Sequence, residues 1–178
     1  MEFKAEIMDE RQVSRSLARI SHEIIEKNDG AKRVCLLGIK RRGIPLAKII
    51  AENIREFEGI EVPVGRLDIS LYRDDLSELS PQATTSDIQI PVELKDYTIV
   101  LVDDVLYTGR TARAAIEAVF SHGRPKAIQL AVLVDRGHRE LPIRPDYVGK
   151  NIPTSHSEVV RVMVPEYDNA SGVALYTL

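Results

Sequence analysis

The sequence predicts an α/β fold in which a central parallel sheet carries helices on both faces. Three observations lead there. Short aliphatic runs recur without polar alternation, as in Val34–Ile39, Ile99–Val102 and Ile128–Val134, the pattern of strands covered on both sides. Amphipathic stretches of helical period separate them. Strand gives way to helix through turn residues at each junction, the order that builds βαβ units. In chain order, a first helix is expected over Asp9–Asn28, with Asp9 and Gln12 as a capping box and Gly30 as its stop. The strand Val34–Ile39 follows, then a helix over Ile44–Phe57 whose first turn accepts Pro45. A short strand covers Val64–Ile69, and a long polar stretch runs from Arg73 to Gln89. The strand from Ile99 ends in the carboxylates Asp103 and Asp104. Thr108-Gly109 turns the chain, and Ala112, Ala114, Ala115, Ile116, Ala118 and Val119 continue as a helix closed by Gly123. After Ile128–Val134 the remainder reads as short strands and loops punctuated by proline and glycine.

Composition bounds the function. At 178 residues and 44 % hydrophobic, the chain builds one core and one domain. The net charge of −3 is that of an ordinary soluble protein. The single cysteine, Cys35, excludes an internal disulfide, and its apolar neighbours make it a core thiol rather than a nucleophile. Met1-Glu2-Phe3-Lys4 opens no signal-type apolar segment, and no stretch reaches membrane-spanning length. The expected setting is the cytoplasm, with no membrane partner. No internal repeat or low-complexity tract is present.

The run Ile99 to Thr111 carries the chemistry. Ligands of open α/β sheets bind beyond the carboxyl ends of the strands, and a first helical turn offers free N–H groups at its positive end. Thr108, Thr111 and the amides around Gly109 suit a monoester phosphate. Asp103 and Asp104 suit vicinal ribose hydroxyls, directly or through a hard cation such as Mg²⁺. Together they describe a phosphorylated sugar. A nucleoside-triphosphate loop is disfavoured, because no Gly-Lys-Ser/Thr triplet follows the strand. A second junction, Gly38-Ile39-Lys40-Arg41-Arg42-Gly43, puts three consecutive cations between two glycines. Crowding of that kind is expensive unless it meets negative charge, so the turn is either an anion loop or a solvated basic turn.

The Val102–Thr111 run resembles the phosphoribosyl-pyrophosphate (PRPP) signature of type I phosphoribosyltransferases. Those enzymes move ribose 5-phosphate from PRPP to a base nitrogen and release pyrophosphate. The resemblance implies the type I phosphoribosyltransferase fold with a small hood over the sheet, formed by about 135–160 with the N-terminal segment. It assigns the nucleotide site to Asp103, Asp104, Val105, Leu106, Tyr107, Thr108, Gly109, Arg110 and Thr111. The acids would take the ribose hydroxyls and, with PRPP, Mg²⁺; the last four residues would take the 5-phosphate. It gives the pyrophosphate to Lys40, Arg41 and Arg42, in a loop that the family often builds with a non-proline cis peptide, here expected at Ile39–Lys40. It implies a flexible catalytic loop over about 71–90 that would bring Arg73 to the pyrophosphate. A plain surface loop is the alternative there.

Asp135, Arg136, Ile152 and Val160 are the base-reading positions of the implied hood. Two departures from hypoxanthine-type enzymes bear on the base. Those carry an acid where Tyr107 stands and a lysine where Asp135 stands, and both changes favour a smaller base such as uracil.

Along the first helix, Arg11, Arg15, Arg19 and His22 fall within an arc of roughly 80°, opposite Val13, Leu17, Ile20 and Ile24. A basic stripe on an acidic protein invites a polyanion, although such stripes are often only solvated faces. The segments Leu71–Leu76, Val102–Thr111, Val134–Arg144 and Gly149–Ser155 are similar to those of the bacterial pyrimidine-operon attenuation regulators, over nearly the whole chain. That resemblance implies binding of leader-mRNA stem-loops with UMP or UTP as co-regulator, together with uracil phosphoribosyltransferase activity. It places Arg15, Arg19, His22, Arg139, Arg144 and Lys150 on the RNA side and implies dimers and hexamers, with no DNA partner. The alternative is a plain phosphoribosyltransferase of uracil or purine salvage without an RNA role.

Overall fold

The computed structural model describes residues 1–72 and 87–178. Its elements are β1 (Glu2–Met8), α1 (Glu10–Lys27), β2 (Val34–Ile39), α2 (Gly43–Glu58), β3 (Val64–Leu67), β4 (Thr98–Leu106), α3 (Arg110–Phe120), β5 (Ala127–Asp135), β6 (Tyr147–Asn151), β7 (Glu158–Met163), α4 (Pro165–Asp168) and β8 (Gly172–Thr177). Five strands form one parallel sheet in the order β3-β2-β4-β5-β6. Three more form an antiparallel sheet in the order β1-β8-β7.

The burial pattern explains the apolar runs. All of β2 is buried, and its alternate residues serve opposite layers. Val34 and Leu36 join Val100 and Val102 under α1 and α2, where Leu17, Ile20, Ile24, Leu46, Ile50 and Ile54 pack. Cys35, Leu37 and Ile39 join Ile99, Leu101 and Val132 under α3, against Ala112, Ala115 and Val119. The first layer continues into the small sheet through Val160, Val162, Val173 and Leu175, so the two sheets share one core. Burial pushes the Cys35 thiol up to about 12, which keeps it protonated and inert.

The predicted helix starts are close to those observed. Asp9 is the N-cap of α1: its carboxylate accepts from the Gln12 amide at 2.8 Å, and the Gln12 side chain accepts from the Asp9 amide at 2.9 Å. Five expectations need correction. The acid pair does not end the strand, because β4 stays in register with β5 as far as Leu106↔Asp135 and leaves only Tyr107–Gly109 for the turn. The third strand stops at Leu67, so Asp68 lies beyond its end. The N-terminal strand β1 was not expected; its mostly exposed residues carry little apolar signal, and it is held by pairing with β8. The cis peptide lies at Lys40–Arg41, not at Ile39–Lys40. The small sheet also reaches further along the chain than 135–160, since β8 lies in it. Arg73 and the proposed loop fall largely outside the described residues.

Gly43 opens α2 hard against β4. A Cβ there would lie 2.2 Å from the Val102 carbonyl oxygen and 3.3 Å from the Asp103 Cα. Neither backbone atom can swing aside, so Gly43→Ala is expected to destabilise the fold by about 3 kcal/mol or more. The urea midpoint measures this, and an unchanged midpoint would show that the junction is loose.

Candidate functional site

Three neighbouring strands of the parallel sheet, β3, β2 and β4, end at one cleft of about 280 Å³. Asp68, Ile69 and Ser70 follow β3, Lys40, Arg41 and Arg42 follow β2, and Asp103, Asp104 and Val105 lie at the end of β4, before Leu106 ends it. Thr111 lines it from the first turn of α3. The sequence motif and the basic loop, sixty residues apart, thus face one space because their strands are hydrogen-bonded neighbours.

The acid pair is oriented by its own backbone. The Asp104 amide donates to Asp103 Oδ1 at 2.9 Å, and the Val105 amide donates to Asp104 Oδ1 at 2.8 Å. Burial, then the adjacent Asp104 charge, pushes the Asp103 carboxyl well above the ordinary carboxylate range. At Asp68, burial opposes the charge, but the Ser70 amide and Lys40 hold the carboxyl below its ordinary value. Lys40 Nζ stands 3.5 Å from Asp68 Oδ2. Among the described residues no group of three or more His, Cys, Asp or Glu side chains forms a closed metal cage. Two carboxylates opening on a cleft instead suit a hard cation whose remaining ligands come from phosphate and water.

Gly109 takes φ +94°, a conformation that favours glycine, and the first turn of α3 has no side-chain cap beyond Gly109. The Arg110 amide donates to Thr108 Oγ1 at 3.2 Å, and the amides of the rest of the first turn, which no N-cap side chain takes, are available to an anion. The segment 139–141 clamps this loop. The amides of Glu140 and Leu141 donate to the Thr108 carbonyl, Arg139 Nη1 donates to the Tyr107 carbonyl at 2.8 Å, and Arg110 pairs with Glu140 at 2.6 Å.

Other expected site residues lie elsewhere. Asp135, Arg136, Ile152 and Val160 do not line the cleft. The Asp135 carboxylate is taken by Arg139 Nη2 at 2.5 Å and by the Gly137 amide. Arg136 is buried, donates to Thr154 Oγ1 and to the carbonyls of Ser155 and Glu158, and lies 3.9 Å from the Tyr107 ring centroid. Ile152 and Val160 are core residues. Tyr107 is a packing residue between Arg136 and His138, with its hydroxyl 3.5 Å from His156 Nδ1. The Arg139 guanidinium, part-exposed, is engaged by Asp135 and the carbonyls of Tyr107 and Ile143. Asp68 joins the site because the third strand, expected to run through it, ends at Leu67, and no sequence spacing announces the 139–141 clamp.

The basic stripe of α1 divides. Arg11 and Arg15 are exposed and have no partner among the described residues. Arg19 donates to the carbonyls of Val148 at 3.2 Å and Gly149 at 2.7 Å, and His22 stacks on Phe57 with ring centroids 3.9 Å apart. Arg19 thereby docks α1 on β6, where Lys150, the residue after Gly149, is exposed.

Residues 4–168 match the family model of the phosphoribosyl transferase domain. The chain belongs to that family. It is similar to the bifunctional protein PyrR of Acetivibrio thermocellus, 62 % identical over 97 % of this chain and 94 % of that one. It is 58 % identical to the bifunctional protein PyrR of Clostridium novyi over 99 % of both chains. Among solved structures it is similar to a hypoxanthine phosphoribosyltransferase of Trypanosoma cruzi, with a TM-score of 0.74 at 16 % identity over 97 % of this chain and 94 % of that one. A hypoxanthine-guanine phosphoribosyltransferase of Bacillus anthracis gives a TM-score of 0.69 at 18 % identity over the whole of both chains. At these identities the structures speak for the fold alone, and it is the type I phosphoribosyltransferase fold expected from the sequence.

The raised Asp103 carboxyl has a consequence for this phosphoribosyltransferase. The stability supplied by its protonated form is full below the ordinary carboxylate value and is lost as pH rises through the raised one. Asp103→Asn escapes that loss. At pH 8 the ligand-free variant is expected to be more stable than the wild type by on the order of 1 kcal/mol, a common gain on relieving functional-site strain. The difference should vanish in acid. Urea midpoints across pH test this, and a variant less stable at every pH would refute it.

Proposed function

We propose that this phosphoribosyltransferase joins uracil to the ribose 5-phosphate of PRPP, and that the same pocket, filled with UMP or UTP, lets the protein bind a leader-RNA stem-loop of the pyrimidine operon. The convergence of the acid pair and the basic loop on one cleft carries the enzyme reading. In the reaction, uracil N1 forms a bond to ribose C1′ while the C1′–O bond to pyrophosphate breaks. The bonding pair leaves with pyrophosphate, and the N1 proton passes to solvent or to the leaving group. Asp103 and Asp104 accept hydrogen bonds from the ribose hydroxyls, and Thr108, Thr111 and the opening amides of α3 hold the 5-phosphate. Lys40, Arg41 and the loop amides receive the charge that builds on pyrophosphate. Mg²⁺, held by the acid pair through PRPP, would add charge neutralisation there. No described side chain at the cleft is placed as a nucleophile, so rate comes from positioning and electrostatics. The base reading rests on Tyr107 and Asp135: one is packed in the hood and the other is bound by Arg139, so neither offers the lysine or free acid that a purine would meet.

The RNA reading is supported by Arg11, Arg15, Arg144 and Lys150, exposed cations with no partner among the described residues. Dimers and hexamers in a cytoplasmic setting belong to the same proposal. No described helix is long and apolar enough to cross a membrane.

A leader-RNA gel shift at stated salt, with and without UMP, tests the regulatory half. Binding should tighten with UMP. The paired change Arg15→Gln with Lys150→Gln should reduce the slope of log affinity against log salt by about two, one per lost phosphate contact. Uracil turnover by the same variant serves as the folding control and should stay near that of the wild type. RNA binding that ignores both UMP and these cations would sink the proposal.

A further inference from the structure

Two of the three consecutive cations in the basic loop are gripped by one short element of the other sheet. Arg41 places its guanidinium 3.9 Å from the centroid of the Tyr167 ring. Arg42 meets Asp168 through two bonds, Nη2 to Oδ1 at 2.9 Å and Nε to Oδ2 at 3.3 Å. Tyr167 and Asp168 are adjacent in α4, which links β7 to β8 and so belongs to the antiparallel sheet. Asp168 is itself held firmly. Its carboxylate accepts from the Val164 amide at 2.9 Å, stands 3.5 Å from Arg161 Nη2, and its side chain is only 6 % exposed.

The arrangement resolves a problem posed by the sequence. Lys40, Arg41 and Arg42 repel one another, and an unrestrained loop would spread them before any anion arrived. Asp168 neutralises Arg42, and the negative face of Tyr167 attracts Arg41 without cancelling its charge. The hydrogen bond from Arg42 holds the Asp168 carboxyl down to about 2, so this pair stays charged under ordinary assay conditions. With Arg42 occupied and Lys40 beside Asp68, Arg41 keeps an undiminished charge at a defined place.

We propose that Tyr167 and Asp168 are positioning residues for the pyrophosphate loop: they act through Arg41 and Arg42, preset the loop for PRPP, and do not touch the substrate. The inference rests on the reading of the cleft as the PRPP site. It assigns a task in the reaction to the small sheet, which otherwise only completes the core.

The test is titration of the full-length protein with PRPP and Mg²⁺, and separately with UMP, which has no pyrophosphate. Tyr167→Leu removes the ring face, Asp168→Asn removes the charge, and Tyr167→Phe keeps a ring face. Tyr167→Leu and Asp168→Asn are each expected to weaken PRPP about five- to tenfold, the range of a partly desolvated cation–π or charge-assisted contact. UMP affinity should change by less than about twofold, and Tyr167→Phe should bind PRPP within about twofold of the wild type. In turnover the loss should appear in the KM for PRPP rather than in kcat. Equal loss of PRPP and UMP affinity, or a Tyr167→Phe protein as impaired as Tyr167→Leu, would show a structural role and overturn the inference. PRPP affinity unchanged in both variants, with the wild type binding PRPP, overturns the inference alone. A wild type that binds no PRPP overturns the reading of the cleft and this inference with it.

Discussion

The site depends on how closely the start of α2 approaches the backbone of β4. Gly43 sits against the Val102 carbonyl at a distance that no side chain could occupy, and a Cβ on Gly38 would strike the backbone of Ile44 at 2.6 Å. Both glycines let the loop between β2 and α2 fold back over the strand ends. The next two residues of β4 after Val102 are the acid pair. A looser junction would move Lys40 and Arg41 away from Asp103 and Asp104, and the one cleft would become two unrelated surface features.

Electrostatics then divides the cleft into two unlike halves. The acids crowd each other, and Asp103 bears the cost as a raised carboxyl. The cations crowd each other too, but one of them is neutralised by a carboxylate from another sheet. On the proposed reading of the cleft, both tensions ease when a ligand brings hydroxyls and a cation to one side and phosphate to the other. That is the usual mark of a site whose free state is kept under strain for the sake of binding. The remaining charged surface has another character. Arg11, Arg15 and Lys150 lie out in solvent, where they cost little and can meet a polyanion at long range.

Much of this was legible in the chain. The buried strands, the capping box at Asp9, the turn at Gly109 and the acid pair all rest on local rules of period, propensity and turn chemistry, and they stand nearly where those rules put them. The errors share a physical origin. Strand β1 depends on a partner 170 residues away, and Asp68 lies at the site only because β3 stops one residue before it. Arg139 and Arg136 look like free surface cations in sequence. Their guanidinium groups instead hold Asp135, Tyr107 and the 154–158 segment together. Whether an arginine is spent or available depends on its neighbours in space.

By itself the sequence determined the fold class, the turn at Gly109 and the acid pair, because each is encoded within strand-turn-helix segments and the interactions that form it are local. Only the tertiary structure decided which cations face the acids, which arginines are consumed internally, and that Arg41 and Arg42 of the basic loop meet Tyr167 and Asp168 of the small sheet. Those choices depend on strand order and sheet-to-sheet packing. Contacts made across strands and sheets leave no periodicity in the chain to announce them.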